Sequence, residues 1–578
     1  MAVWLAVALL LGQMGLQLMA AARADTATYD EPVNVRSGVV YALDHDLSPN
    51  PEHPPLTKLL SGWSVTVLHP AARRELAAAF AVVFFPQAPE YGNRVQAKTA
   101  LAQQMARRAR VPMVVLTLFL GVVVFAFARD LFGPAAALIS LAAYSLAPEL
   151  IGHGHLATND LPAAGFFVTS LWCALRVRGA PVPGRWPWVV AAGLALGAGL
   201  ATKYQVLVYA PVTLALVAGA VWRSPSGAVG VDGSEPADGG HARSWLRWRS
   251  PLAAAAAAGA LAVAVVWVVT LLVEPGATLH FGPTGFGDHE HGLVATVVDH
   301  LPLPASYRAG LRYQLAYSQV PKQAFLLGQS YSGHRFWYPP VVLTIKYPVI
   351  TLGLWLAGLV VVVLRRHRAA LVFAVAPALY VLAVDMWKGA DIGDRYVIAT
   401  PVLLMVMAGA PWTRGGWRWV AVAPRRWMAG GVTVALLGFA SVTAVPHQIA
   451  YANELWGGTR RAYLRVSDSA VDWGQDLDRL AVWVRRHAGG RPVYLQYFGT
   501  TQPAAVGLRA IPFGFDRTGG LVPVPQGVVA VSVTWYNQDR GAYVDLGPVR
   551  HTIGGSILIF EPPPGAPGVG SGVTPPPG

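Results

Sequence analysis

Two adjacent carboxylates, Asp30 and Glu31, follow an apolar run that ends near Ala22. A carboxylate beside an apolar boundary can act as a general base and draw the proton from a hydroxyl. The plainer reading is a solvated loop that caps the next helix. Further on, Pro54 and Pro55 stiffen the chain and set a helix start, with Lys58 one turn in. An ammonium there suits a lipid phosphate, although lysines at such a boundary also snorkel. Asp160 precedes a long apolar run, where it is placed to cap a helix. Lys203 sits between two apolar runs, and ionisable groups at that depth are costly and usually functional. Arg395 offers a guanidinium fork for a phosphate, with Asp391 and Asp394 as the plain alternative partners. His53, His153 and His155 are candidate ligands for a divalent metal, but the pattern requires no cofactor.

Apolar segments must position these groups. Of 578 residues, 54% are hydrophobic and 13% charged, and the mean hydropathy is +0.43. Soluble domains average about 25% charged residues, so too few remain here to cover a water-facing surface. The pattern predicts an α-helical polytopic membrane protein with about eleven spans. They fall at 2–22, 112–129, 133–149, 161–177, 187–201, 204–222, 251–273, 341–364, 369–386, 395–411 and 428–446. The first is read as an uncleaved span because it lacks a basic start and is long for a signal peptide.

The net charge of +14 comes largely from Lys and Arg in every second loop, among them Arg129, Arg176, Arg178, Arg185 and Arg365–Arg368. Membrane lipids are therefore the expected partner, and nucleic acid is not. The basic side is cytoplasmic, so the N-terminus lies inside the plasma membrane and the C-terminal domain is extracytoplasmic. Asp30, Lys58, Asp160 and Lys203 then share the outer face. Cys173 is the single cysteine, which excludes an internal disulfide.

The expected organisation is a transmembrane domain over 1–446, with outer loops 23–111 and 274–340. An α/β domain over 447–561 and a disordered Pro/Gly tail over 562–578 follow. A flexible linker is expected at 224–241. Amphipathic helices are expected over 55–68 and 71–84. A helix is expected over 469–487 with Asp472 at its cap, and strands over 491–498, 527–536 and 556–560.

Carboxylates and cations on one membrane face suit a lipid-phosphate substrate carrying a polar group for transfer. The leaving phosphate needs cations, and the acceptor hydroxyl needs a base. The order of motifs resembles the protein O-mannosyltransferase family, glycosyltransferase family 39, with its membrane-embedded GT-C fold. The likeness runs from Asp30-Glu31 and Asn50–Lys58 through Ala157–Pro162, Gly197–Lys203, Gln323–Gly328, Phe336–Pro339 and Lys346–Pro348. It closes on Tyr451–Gly458 and Asp468–Leu477, a C-terminal signature of bacterial members.

That resemblance implies a polyprenyl-phosphate-linked sugar donor, often mannose, and inverting transfer on the extracytoplasmic face. It implies Asp30 as catalytic base with Glu31 beside it, and Asp160 holding acceptor or sugar. Lys58, Lys203 and Arg395 would meet the donor phosphate. The acceptor could be protein, glycolipid or polysaccharide; the segment 274–340 is too short for the inserted trefoil of eukaryotic members. The rival class is a transporter or flippase of a polar or lipid-linked solute. It calls for mid-membrane charges and repeated halves, which the sequence does not display.

Overall fold

A computed structural model describes residues 1–83, 94–181, 183–222, 250–280, 292–413, 423–514 and 527–562. The expected linker and all but the first residue of the expected tail lie outside the described residues.

Each predicted span folds as helix. They are α1 (Ala2–Ala24), α6 (Val111–Phe132), α7 (Pro134–Ser145), α9 (Asp160–Gly179), α10 (Trp186–Leu200) and α11 (Gln205–Trp222). The rest are α12 (Pro251–Val273), α15 (Val349–Leu364), α16 (Ala376–Lys388), α17 (Ala399–Ala408) and α18 (Ala423–Ala444). Among the described residues, six helical stretches are long and apolar enough to cross a membrane, or eight if two bent pairs each count as one span. That is fewer than eleven, for physical reasons. α10 and the stretch beginning with α17 are too short at 1.5 Å per residue for a core of about 30 Å, and α9, though 20 residues long, is not apolar enough. The bends lie at prolines: α7 turns by 61° into α8 (Pro148–Gly154), and α14 (Tyr338–Lys346) turns by 119° into α15 at Pro348.

The connections carry their own structure. The segment between α1 and α6 forms α2 (Glu31–Leu43), α3 (Leu56–Leu68), α4 (Ala72–Ala79) and α5 (Ala100–Ala109). The helix expected over 71–84 stops at Ala79, and Phe80–Val83 (β1) pairs antiparallel with Arg94–Ala97 (β2). Phe80, Val82 and Val83 favour that extended pairing. The segment between α12 and α14 holds α13 (Ala305–Gln319) and the hairpin β3 (Gln323–Leu326) with β4 (Gln329–Ser332).

A five-stranded sheet closes the chain, in the order β6-β5-β7-β9-β8. Its strands are β5 (Val493–Gln496), β6 (Ile511–Pro512), β7 (Val528–Ser532), β8 (His551–Ile553) and β9 (Ile557–Phe560). β5 runs parallel to β6 and β7, while β9 is antiparallel to β7 and β8. The three predicted strands match β5, β7 and β9, though 533–538 turns into the short helix α20 (Val533–Gln538). The helix expected over 469–487 forms only as α19 (Leu477–His487). Gly474 at φ +85° breaks the earlier part, so Asp472 caps no helix. Its buried carboxylate instead accepts from the Thr534 amide at 2.9 Å.

α2 and α3 cross so closely that a Cβ on Gly62 would collide with the Gly38 carbonyl, and one on Gly38 with that of Lys58. Gly62→Ala should therefore lower stability by about 2 kcal/mol or more, read as thermal midpoint in detergent. Gly219→Ala, with nothing within 4 Å, should be neutral or mildly stabilising.

Candidate active site

The site begins with a turn clamped from both ends of the chain. Arg110, at the start of α6, is 1% exposed and directs its fork onto Glu31, at 2.8 Å to Oε1 and 2.6 Å to Oε2. Its remaining N–H groups donate to the carbonyls of Ala22, Asp25 and Thr26. Glu31 also accepts from the amides of Thr28 at 2.8 Å and Ala157 at 2.9 Å. Both Glu31 oxygens are thus committed in the interior, and its neighbour Asp30 is left at the surface of the same turn. Across the turn, the Tyr29 amide donates to the Trp473 carbonyl and the Thr26 amide to that of Gln475, both at 2.9 Å.

Asp30 meets Arg395, with Nη1 2.6 Å from Oδ2. The nearer-sequence partners of Arg395 are engaged elsewhere. Asp391 accepts from Tyr331, His334 and the Arg335 amide, and Asp394 lies beside His153. Arg395 also lies over the Trp473 ring, 4.7 Å from its centroid. Trp473 is fully buried, which fixes the guanidinium plane.

The second pair is Lys203 with Asp160, 2.5 Å apart and both buried. α10 and α11 are separate helices, so Lys203 lies in the turn between them, and Ala201 in that turn accepts from the Leu56 amide of α3. Asp160 starts α9 without a capping bond. Lys203 stands 4.3 Å from the Tyr396 ring, which joins this pair to Arg395. Asp30, Arg395, Asp160 and Lys203 therefore form one connected group.

Lys58 is near but turned aside. Its ammonium donates to Asn50 O, Asn50 Oδ1 and His53 O at 3.0–3.2 Å and so ties down the proline-bent loop. Burial pushes its affinity for a proton down to about 7, against the pull of Glu52. Glu52 itself is raised by burial and then by Asp30.

Four further residues belong here and were not singled out from sequence as site residues. They are Glu52, Lys322, Asp468 and Trp473. Lys322 stacks over the Tyr317 ring at 3.5 Å. Asp468 has φ +54°, a conformation that few side chains adopt, and its carboxylate receives the Ser469 amide at 2.6 Å. Burial raises Asp468 to about 6, opposed by Arg395. A strained acidic residue facing an arginine leaves no trace in hydropathy; its place inside the C-terminal signature was the available signal.

The histidines separate. His155 faces Asp25 at 3.2 Å and the Ile151 carbonyl at 2.9 Å. His153 faces Glu149 at 2.8 Å and Asp394 at 4.0 Å. These three are the candidate divalent-cation ligands among the described residues, but Lys346 already sets a positive charge 2.9 Å from Glu149. His53 is held neutral by burial beside Lys203 and Lys58.

Residues 94–228, which include Arg110, Asp160 and Lys203, match the family described as dolichyl-phosphate-mannose-protein mannosyltransferase. A search of the curated proteins finds no match. Among solved structures the chain is similar to ArnT from Cupriavidus metallidurans bound to undecaprenyl phosphate. The identity is 13% and the TM-score 0.45, over 96% of this chain and 97% of that one. The S. cerevisiae protein O-mannosyltransferase Pmt1-Pmt2 complex bound to the sugar donor is 15% identical, with a TM-score of 0.32. It covers 47% of this chain and 33% of that one. The Archaeoglobus fulgidus oligosaccharyltransferase is 12% identical with a TM-score of 0.40, over 88% and 62%.

Two outcomes follow from the geometry. Glu31→Gln leaves a buried guanidinium without its counter-charge and should cost roughly 3–5 kcal/mol, seen as a large drop in thermal midpoint. For Asp468, the folded chain binds the proton more tightly than the unfolded chain between 3.8 and about 6. Stability therefore falls as pH rises through that window. Asp468→Asn should raise stability at pH 7 by roughly 1–3 kcal/mol, a gain that fades below pH ~4 in melting curves.

Proposed function

We propose that this protein is a membrane glycosyltransferase that moves a sugar from a polyprenyl-phosphate donor to a hydroxyl acceptor on the extracytoplasmic face. The N-terminus is cytoplasmic, and residues 447–561 form the outer domain. One observation carries the reading: the carboxylate–arginine pair Asp30–Arg395 abuts the pair Lys203–Asp160 through Tyr396. That supplies a base and two cations in one place, which is what displacement of a phosphate by a hydroxyl needs.

The chemistry is a single displacement. A donor phosphate competes with Asp30 for the Arg395 fork, so donor binding frees the carboxylate. Asp30 then takes the acceptor's hydroxyl proton, and the oxygen attacks the anomeric carbon opposite the phosphate. The carbon–oxygen bond to phosphate breaks, its electron pair leaves on the phosphate, and the sugar inverts. Arg395 and Lys203 hold the departing dianion, while Asp160 sets the position of Lys203 and orients the sugar or acceptor. Lys58 shapes the floor through Asn50 and His53, and it reaches phosphate only by releasing those carbonyls. A hexose such as mannose is the expected sugar.

Asp30→Asn in proteoliposomes given radiolabelled polyprenyl-phosphate sugar should lower transfer by roughly 10²–10⁴-fold while the donor still binds. Arg395→Ala should cost roughly 10²–10³-fold and weaken donor binding as well. Full transfer by the Asp30 variant would remove the base from the mechanism. Movement of labelled substrate across vesicles with no covalent product would favour a transporter.

A further inference from the structure

The C-terminal sheet has a feature that the reaction above does not use. The chain leaves β5 for β6 on one side and then crosses to β7 on the other, so β5 is flanked by its two successors. In open sheets with parallel strands, a crevice opens at the carboxyl ends where the strand order reverses in this way, and ligands bind there. The structure has a cleft at that position, of about 780 Å³, reached by the ends of β5 and β6 and by Trp535. That size is within the range of small-molecule sites.

Its lining defines the ligand. Gln96, Gln496, Gln502 and Thr500 supply amides and a hydroxyl, while Tyr497 and Trp535 supply aromatic faces. Among the described residues, no carboxylate lines it, and Arg509 is its one guanidinium. A single cation is a poor host for a multiply phosphorylated ligand, and the absent carboxylates give no purchase to a basic peptide. Amides beside aromatic rings fit a neutral, hydroxyl-rich ring, whose C–H face lies on the aromatic and whose hydroxyls meet the amides. The amides are also preset. Tyr543 holds the Gln496 carbonyl at 2.8 Å, and Gln502 donates to Gln96 at 3.0 Å.

The cleft is coupled to the base. Thr500 donates to the Tyr29 carbonyl at 2.9 Å, and Tyr29 immediately precedes Asp30. Phe498 stacks on Tyr29 with centroids 5.0 Å apart and meets Trp535 edge-on at 6.4 Å. A ring seated on Trp535 is thus one aromatic layer from the Asp30 turn. Tyr497 also bonds the Gly474 carbonyl, next to the Trp473 that carries Arg395.

We infer that this cleft binds the acceptor, and that the acceptor is a neutral saccharide. This rests on the transferase reading, and the test separates the two. Saturation-transfer NMR on the full-length protein in nanodiscs, without donor, would use neutral trisaccharides of glucose, mannose and galactose and a threonine-containing peptide. At least one trisaccharide should show transfer that falls about tenfold or more in Trp535→Ala and Gln496→Ala. In transfer assays the same variants should raise the acceptor KM by a similar factor, with donor binding and acceptor-independent donor hydrolysis unchanged. If Trp535→Ala melts early, Trp535→Phe and Gln96→Ala take its place. No trisaccharide binding, binding that survives these changes, or peptide binding that is lost with them would each overturn the inference. Saccharide binding that persists in an Asp30→Asn variant with full transfer would sink the assigned base and leave the cleft standing.

Discussion

The buried pair of Arg110 and Glu31 is the constraint on which the site depends. An ion pair in the interior is stable only when every donor and acceptor around it is answered. Here the guanidinium reaches Glu31 and three carbonyls of the 22–26 turn, and Glu31 also receives the amides of Thr28 and Ala157. One carboxylate therefore binds the end of α1, the start of α6 and the loop before α9. Asp30 follows as a by-product of that geometry: with Glu31 pinned inward, the preceding side chain points toward Arg395.

The pair Asp30–Arg395 is held in a more exchangeable way. Asp30 and Arg395 retain 33% and 12% side-chain exposure, against 0% and 1% for Glu31 and Arg110. A partner that can be reached by an anionic ligand can be exchanged; one sealed in the interior cannot. Asp468 shows the other side of such a site. Its left-handed backbone and raised proton affinity both oppose folding, and residues of that kind persist where chemistry needs them.

The helices were readable because hydropathy is local: each of the eleven apolar runs folds as helix, two of them as bent pairs, and their membrane-crossing lengths and bends departed from expectation. The site was readable in part. Asp30, Asp160, Lys203 and Arg395 do converge, but the partners did not follow from sequence proximity. Arg395 bypasses Asp391 and Asp394 for a residue 365 positions away. Glu31 is identical in type to its neighbour Asp30, and only Arg110, 79 positions on, shows that its two oxygens are paired in the interior. Lys58 was expected to meet a phosphate, yet its ammonium is taken up by carbonyls of a loop whose curvature two prolines create. Side-chain pairing across long separations is set by packing, which neither spacing nor composition records.

The pairing of residues 26–29 with 473–475 has a consequence for how the molecule comes into being. A ribosome that has delivered the first 446 residues has already supplied the six helical stretches that, among the described residues, are long and apolar enough to cross a membrane. At that stage the turn bearing Asp30 still lacks the backbone partners at Trp473 and Gln475, and Arg395 lacks the ring beneath it. These contacts form only after the last segment has been made and folded back onto the first. Translation order thus delays completion of this cluster until the C-terminal segment has left the ribosome.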